Sequence, residues 1–312
     1  MDIHYGKSVR REESAFFEGT WVGPELLGSV PESTTVFGSG IVARDGQLVV
    51  VTPSHHLEGV YVARAEGDLI VSNSLVGTLC GANLELDPDA DYPTLFATAC
   101  ALCWFIDDVS EDPAGRLIGA TFSIPTRTHP VTAHFYENLV IAGDLAVTEA
   151  RKRREAPFTS FADYSRRLTA ALGSAMSNAG PYEAVVSLSS GYDSTAVAAV
   201  AARVGCRRAV GFRTSRPSPQ DGSIGDSGAA TARLLGLDYE LVDRLAYMQT
   251  TDLPEAEFLA SGMTRRTSSS KGSSRPSIEA RCSPGTGLAL SLRCRTATTG
   301  DRPHRPPPPA RT

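Results

Sequence analysis

The stretch EAVVSLSSGYDSTAVAAVAAR, residues 183–203, joins a short apolar run, a polar turn and a helix-forming segment. Val185, Val186 and Leu188 have the apolar and β-branched character of a buried strand. The alanine-rich run that begins at Ala196 favours a helix. The serine-rich segment SSGYDS separates the two. The stretch therefore predicts a buried strand that leads through a polar turn into a helix.

The predicted start of this helix has the properties of an anion site. First-turn N–H groups lack internal partners, and the helix dipole adds partial positive charge. Gly191 permits close backbone approach, and Ser189, Ser190 and Ser194 carry hydroxyl donors. Asp193 would place a carboxylate beside bound phosphates, where Mg²⁺ would offset the repulsion. The turn therefore predicts a nucleotide-phosphate site with magnesium.

The residues that follow predict two more strands and one more helix. Residues 208–214 (RAVGFRT) have strand character, and residues 226–235 (DSGAATARLL) are typical of a helix with Asp226 as its N-cap. Gly236 ends that helix, and residues 238–242 (DYELV) form a third predicted strand. The order β-α-β-α-β at short spacing predicts an α/β fold with a parallel sheet.

The turn also resembles the PP-loop signature S-G-G-x-D-S of ATP pyrophosphatases. Residues 164–264 are similar to the synthetase domain of asparagine synthetases, whose relatives include β-lactam synthetases and peptide macrolactam synthetases. The resemblance implies a Rossmann-like, PP-loop domain that binds ATP and Mg²⁺. It implies Asp193 as metal ligand and catalytic residue. The implied phosphate-binding residues are Ser189, Ser190, Gly191, Asp193 and Ser194.

The same resemblance implies adenine contacts on the second predicted strand, at Val210, Gly211 and Phe212. One position departs from the family pattern, because Ser190 stands where the family has its first glycine. A side chain there leaves the backbone less free to approach a pyrophosphate.

Two functions follow from the resemblance. The first is an ATP-dependent amide ligase of the asparagine biosynthesis type, in which a small carboxylate is adenylated, pyrophosphate leaves, and ammonia or an amine displaces AMP. The second is a degenerate or truncated relative that binds nucleotide without catalysis. The sequence does not choose the carboxylate or the amine, and it leaves a homodimer open.

The first half of the chain is predicted to be β-rich. Residues 34–44, 47–52, 60–64 and 68–71 have strand character, and Asp-Gly at 45–46 and Glu-Gly at 66–67 are hairpin signals. Residues 38–43 match G-x-G-x-x-A, but a hairpin turn follows them instead of a helix, which argues against a dinucleotide site. Asparagine synthetases carry a β-rich glutaminase domain at this position. Asp2 replaces the cysteine nucleophile of that domain, so the resemblance implies a degenerate glutaminase-like domain over residues 1–150 that does not hydrolyse glutamine.

The remaining organisation follows from composition. The charge run at residues 149–155 predicts an exposed linker or a solvated helix face. A helix in residues 158–178 leads into the nucleotide domain, residues 158–264. Residues 265–312 hold ten basic and two acidic residues with abundant serine and proline. This composition predicts a disordered tail and suggests that the native reading frame is lost near Thr264.

Other features exclude several classes of protein. The chain has 312 residues, a net charge of −5 and 41% hydrophobic residues, and its longest apolar run, residues 95–106, is too short to span a bilayer. These properties predict a cytoplasmic protein with no membrane partner and no specific nucleic-acid partner. The six cysteines are irregularly spaced, which predicts reduced thiols, with Cys100 and Cys103 in core packing. The histidines His55, His56, His129 and His134 do not have the spacing that is typical of metal ligands.

Overall fold

The computed structural model describes residues 1–56, 58–92, 94–95, 121–153, 155–180, 182–212 and 227–242, with the backbone of residues 291–295. The strands are β1 Asp2–His4, β2 Arg10–Glu12, β3 Ala15–Trp21, β4 Val36–Arg44, β5 Gln47–Val51, β6 Val60–Ala65, β7 Asp68–Ser72, β8 Thr121–Ile124, β9 Val131–His134, β10 Asn138–Ile141, β11 Val147–Ala150, β12 Val185–Ser187, β13 Arg208–Phe212, β14 Asp238–Val242 and β15 Ser291–Arg295. The helices are a 3₁₀ helix Leu27–Glu32, α1 Leu75–Ala82, α2 Phe161–Ser177, α3 Tyr192–Arg203 and α4 Ala229–Leu235. The fold is mixed, with a β-rich N-terminal part and a smaller parallel sheet.

Two six-stranded sheets form the N-terminal part. The first has the order β1-β15-β7-β6-β9-β8, and the second has the order β11-β10-β5-β4-β3-β2. Apolar side chains of both sheets meet in one core, including Val60, Leu69 and Val71 of the first sheet and Ile41 and Leu139 of the second. The sheets therefore pack face to face, with alternate residues of each strand turned into the core.

The outer faces of both sheets are also covered. The 3₁₀ helix packs Leu27 and Val30 with Trp21 on the outer face of the second sheet. On the first sheet, α1 packs Leu75 near Ile70. The Ser74 hydroxyl caps α1 by accepting from the Gly77 N–H at 3.1 Å. Each sheet therefore carries a core on both faces.

The predicted hairpins are confirmed. The β4–β5 turn holds Asp45 and Gly46 at φ 52° and 73°, and the β6–β7 turn holds Glu66 and Gly67 at 52° and 84°. Two successive residues with positive φ give the turn that matches the twist of paired strands. The G-x-G-x-x-A residues 38–43 lie inside β4 and lead into the first of these hairpins.

The helix α2 lies against β3 and joins the two parts of the chain. The Asn178 side-chain amide donates to the Trp21 carbonyl oxygen at 2.9 Å, and the Ser174 hydroxyl accepts from the Gly23 N–H at 2.9 Å. Thr20 donates to the Ala175 carbonyl oxygen. The end of the β-rich part is therefore fixed to the helix that precedes β12.

The predicted exposed linker at residues 149–155 is wrong at its centre. Glu149 and Ala150 belong to β11, and Lys152 is buried between the exposed residues Arg151 and Arg153. Charge alone suggested a solvated run, but the alternation of an extended chain turns every second side chain inward.

The parallel sheet contains three strands in the order β12-β13-β14. One face is covered by α3 and α4 through Val186, Leu188, Ala198 and Ala232. The other face is open, and Val185 and Phe212 are 45% and 39% exposed. Within the described residues this sheet is narrower than the Rossmann-like domain that the resemblance implies. The predicted helix at residues 226–235 starts later than expected, since Gly228 is its N-cap and Asp226 lies outside the described residues.

The predicted disordered tail is wrong at β15. Residues 291–295 pair antiparallel with β7 on one side and with β1 on the other. The serine and arginine content of the segment predicted disorder, although SLRCR alternates polar and less polar residues. The rest of residues 265–312, and Thr264, lie outside the described residues.

The cysteines differ in part from the sequence-based expectation. Cys80 is disulfide-bonded, so the expectation of reduced thiols is wrong at this residue, while Cys206 is free and buried. Cys100 and Cys103 lie outside the described residues.

None of the helices in the described ranges combines the length and apolar character needed to cross a membrane.

Candidate functional site

The predicted phosphate loop lies at the carboxyl edge of the parallel sheet. It follows β12, whose Ser187 pairs with Val210 of β13. The Leu188 N–H donates to the Val210 carbonyl oxygen at 2.8 Å, so the two strands stay in register up to the loop. In open parallel sheets ligands bind beyond this edge, where helices begin. The loop therefore has the location that a nucleotide site requires.

Serine hydroxyls hold the loop in one shape. The Ser189 and Ser194 hydroxyl oxygens lie 2.9 Å apart, and the Ser194 hydroxyl also accepts from the Ser189 N–H at 3.2 Å. The Ser189 hydroxyl accepts from the Gly191 N–H at 3.1 Å. These bonds tie the end of the strand to the first turn of α3. Ser189 and Ser194 therefore shape the loop, and Ser190 is exposed on it.

The N-terminus of α3 begins at a glycine. Gly191 is the N-cap and makes no side-chain cap hydrogen bond to the first turn. A Cβ at Gly191 would lie 3.3 Å from the Ser189 hydroxyl oxygen, so a larger residue would crowd the surface that an anion approaches. First-turn N–H groups without a cap bind anions well.

Asp193 is exposed in the first turn of α3. An acidic residue there favours the helix through its dipole even without a ligand. Its carboxylate also stands next to the open N–H groups, as a metal ligand beside phosphates would. Mg²⁺ commonly takes one or two protein carboxylates and completes its shell with phosphate oxygens and water.

No group of three His, Cys, Asp or Glu side chains capable of holding a metal occurs among the described residues. A magnesium ion at this loop would depend on Asp193 and on the oxygens of its nucleotide. The donor set therefore fits a metal that arrives with its ligand, and it does not fit a resident ion.

The three expected adenine contacts divide between the two faces of the sheet. Val210 and Phe212 alternate with Gly211 along β13, so they lie on the open face while Gly211 is turned to the covered face. All three are at the same edge as the loop. The structure thus places Val210 and Phe212 on one face of the sheet and Gly211 on the opposite face.

Gly211 is covered by a tyrosine. A Cβ at this position would lie 1.9 Å from the Tyr239 hydroxyl oxygen. The same hydroxyl accepts from the Gly228 N–H at 3.3 Å, at the start of α4. A Cβ on Gly228 would in turn lie 2.5 Å from Leu188 Cγ. These close approaches pack α4 directly behind the loop. No local sequence pattern indicates this role of Tyr239.

One cavity in the described part of the chain lies away from this loop. It has a volume of about 490 Å³ and lies between the 3₁₀ helix and α2. Two of its charged residues are already paired, because Glu155 accepts from Arg167 at 2.6 Å and from the Thr34 hydroxyl at 3.0 Å. Arg167 also stacks over the Phe158 ring at 4.6 Å. We place the candidate site at the loop because these paired charges offer no reactive group.

Sequence reasoning also missed a polar cluster at the end of β5. Lys152 donates to the Thr52 carbonyl oxygen at 2.5 Å, and burial lowers the pKa of its ammonium to about 7. His56 Nδ1 lies 2.6 Å from the Tyr136 hydroxyl oxygen. Burial lowers the pKa of His55 first, and His56 and Lys152 lower it further. His56 is therefore hydrogen-bonded, and His55 is stacked on the Phe37 ring at 5.9 Å.

His134 lies in β9 with its Nδ1 atom buried. No hydrogen-bond partner of that atom is present among the described residues, and the nearest carboxylate oxygen, on Glu149, is 3.7 Å away. Burial lowers the pKa of His134 to about 4. The imidazole is therefore neutral near pH 7.

No protein-family model matches the chain, and no curated protein matches it. The resemblance to PP-loop enzymes therefore depends on the sequence motif and its flanking residues alone.

Proposed function

We propose that the chain is an asparagine synthetase-like, ATP-dependent amide ligase that binds ATP with Mg²⁺ at residues 189–194. The observation that carries the proposal is the strand–loop–helix unit. A parallel strand ends in a serine-braced loop, and an uncapped helix begins there with Asp193 in its first turn. In this proposal the β-rich N-terminal part corresponds to the degenerate glutaminase-like domain, and the parallel sheet corresponds to a Rossmann-like PP-loop domain.

Each loop residue has a role in this proposal. The N–H groups at the start of α3 and the Ser190 hydroxyl bind the phosphates, and Ser189 and Ser194 keep the loop in the binding shape. Magnesium, when bound, supplies positive charge to the phosphates. Asp193 orients that ion, and Val210 and Phe212 present an apolar surface to the adenine. Catalysis then comes from positioning and charge neutralisation.

The proposed reaction has two steps. A substrate carboxylate oxygen attacks the α-phosphorus of ATP, the bond to the bridging oxygen breaks, and pyrophosphate leaves. An amine or ammonia nitrogen then attacks the acyl carbon of the acyl-adenylate, and AMP leaves while the nitrogen loses a proton to solvent. The substrates are a small carboxylate and a small amine.

Pyrophosphate release tests the chemistry. Purified chain is incubated with ATP, Mg²⁺ and a panel of small carboxylates, aspartate first, with and without ammonia. We expect carboxylate-dependent pyrophosphate release by the wild-type chain and its loss in Asp193→Asn. Pyrophosphate release that is independent of carboxylate, or equal in Asp193→Asn, would contradict the ligase.

A second function, nucleotide binding without catalysis, is favoured by two observations. Ser190 occupies the first glycine position of the family motif. The open face of the parallel sheet leaves Val185 and Phe212 exposed. Calorimetric ATP binding that depends on Mg²⁺, without pyrophosphate release for any carboxylate, would select this second function over the ligase.

A further inference from the structure

The strand β15 lies between β1 and β7 in the first sheet. The three residues of β1 pair antiparallel with Ser291, Leu292 and Arg293. All of β15 pairs antiparallel with β7. Within the described residues, β1 has no other strand neighbour. β15 therefore joins the first strand of the chain to the rest of its sheet.

The edge of β7 that β15 covers is buried. All five residues of β7 are buried, and β6 occupies the other side of the strand. Without β15, the N–H and C=O groups on this edge would lose their partners. A row of such groups is a template for an extended chain.

β15 occupies a gap between β7 and β1, and β1 forms the second wall of this gap. Its Ile3 side chain packs against the core between the two sheets. The neighbouring residues Asp2 and His4 are exposed, so β1 has one anchoring side chain and otherwise depends on main-chain bonds to β15. The gap is therefore bounded by a buried strand on one side and a short, lightly anchored strand on the other.

The segment that fills the gap is remote in sequence. β14 ends at Val242, and residues 243–290 intervene before β15. A segment of that length spans at most about 170 Å when fully extended. The connection therefore permits β15 to leave the gap and return without displacing β14.

We propose that the gap between β1 and β7 is a strand-binding groove whose resident occupant, residues 291–295 of the same chain, is detachable. The groove recognises an extended peptide by main-chain hydrogen bonds to both walls, which is β-augmentation. When the resident strand leaves, a peptide of the same sequence takes its place. This binding site is independent of the nucleotide loop.

The test uses three full-length chains: wild type, Arg293→Pro and Arg293→Ala. Arg293 pairs with Asp2 on one side and with Ile70 on the other. Proline removes the N–H and restricts the backbone, so it should release β15, whereas alanine keeps the strand. The probe is a fluorescein-labelled peptide with the sequence of residues 288–297 and serine in place of Cys294, followed by fluorescence anisotropy.

We expect Arg293→Pro to bind the peptide at least about tenfold more tightly than wild type and Arg293→Ala, whose grooves are filled. Equal binding to all three chains would overturn the proposal. So would a lack of binding by an Arg293→Pro chain that keeps the far-ultraviolet circular dichroism of the wild type. A wild-type dimer that Arg293→Pro converts to monomer would also overturn it, because a second copy would then supply the strand.

Hydrogen exchange on the wild-type chain gives a test that needs no variant. A tethered segment has an effective concentration of about 1 mM, so unlabelled peptide at millimolar concentration should compete with it. We expect amides of residues 291–295 to lose protection while the amides of β7 keep theirs. If residues 291–295 remain fully protected at this peptide concentration, the strand is a fixed part of the sheet and the proposal is wrong.

Discussion

The hydroxyl oxygens of Ser189 and Ser194 lie 2.9 Å apart, one beyond the end of β12 and the other in the first turn of α3. Ser194 also contacts the Gly191 and Ser189 carbonyl oxygens at 3.2 and 3.4 Å. A single side chain thus fixes where the helix starts relative to the sheet.

Ser194→Ala should loosen the loop and weaken ATP binding. Loss of the hydroxyl removes the partner of the Ser189 N–H, which should lower the free energy of unfolding by about 0.5–1.5 kcal/mol. Urea unfolding measures this change, and calorimetry measures ATP affinity. Ser187→Ala, an exposed serine on the preceding strand, is the control. Identical ATP affinities for the two variants would remove Ser194 from the site.

Asp193→Asn should reduce ATP binding in the presence of Mg²⁺ more than in its absence. The amide keeps the size of the side chain but removes the charge that would hold the ion. Calorimetric titrations with MgATP and with ATP in EDTA measure the difference. Asp238→Asn makes the same change on an exposed residue at the start of β14. If both variants lose the same affinity, Asp193 is not a magnesium ligand.

Gly211→Ala should destabilise the parallel sheet. The new Cβ would collide with the Tyr239 hydroxyl, which would have to release the Gly228 N–H. Overpacking of this kind costs typically about 1–3 kcal/mol. Chemical denaturation measures it, with Gly143→Ala as control because no atom lies within 4 Å of a Cβ there. A Gly211→Ala chain as stable as Gly143→Ala would contradict the close contact.

Acid should destabilise the fold partly through His134. Its pKa in the folded chain is lowered to about 4 from the ordinary histidine value of 6.5, so the unfolded chain binds the proton first as the pH falls. The stability that the neutral imidazole contributes is therefore present above about pH 6.5 and is lost toward pH 4, by roughly 3 kcal/mol.

His134→Gln should remove this part of the pH dependence. Urea unfolding at pH 7, 5.5 and 4 measures it, and the control is His129→Gln, which replaces an exposed histidine. Parallel pH profiles for His134→Gln and wild type would show that burial does not shift this group.

Lys152 should make the fold more stable as the pH rises above 7. Its folded pKa is lowered to about 7 from 10.5, so the unfolded chain binds more protons between these values. Stability should increase by roughly 2 kcal/mol between pH 7 and 9. Lys152→Met should flatten this rise, whereas Lys7→Met, at an exposed lysine, should not. Unfolding curves at pH 7, 8 and 9 that rise equally in all three chains would disprove the shift.

Sequence patterns correctly predicted the strands and turns that are determined by neighbouring residues. β14 was predicted with its observed bounds, because DYELV is flanked by a helix-ending glycine, and both Asp-Gly and Glu-Gly hairpins were found for the same reason. The strand, turn and helix start around residues 188–194 were also predicted, since their residues are consecutive. The role of Tyr239 was not, because it depends on a strand and a helix brought together by the fold.

Long-range pairing explains the larger misses. β15 has the composition of a disordered segment, and only its pairing with the edges of β1 and β7 makes it a strand. Lys152 looked like part of a solvated run, but the end of β5 supplies a carbonyl acceptor for its ammonium. In both cases the deciding partner is too far along the chain for periodicity to reveal it.

The pairing of Asp2 with Arg293 has a consequence for synthesis on the ribosome. The partner of β1 is translated roughly 290 residues after β1 itself, a delay of about 15–60 s at usual elongation rates. Until then the edge of β7 has no β15 to cover it. We expect the nascent chain to engage a molecular chaperone until translation has passed β15.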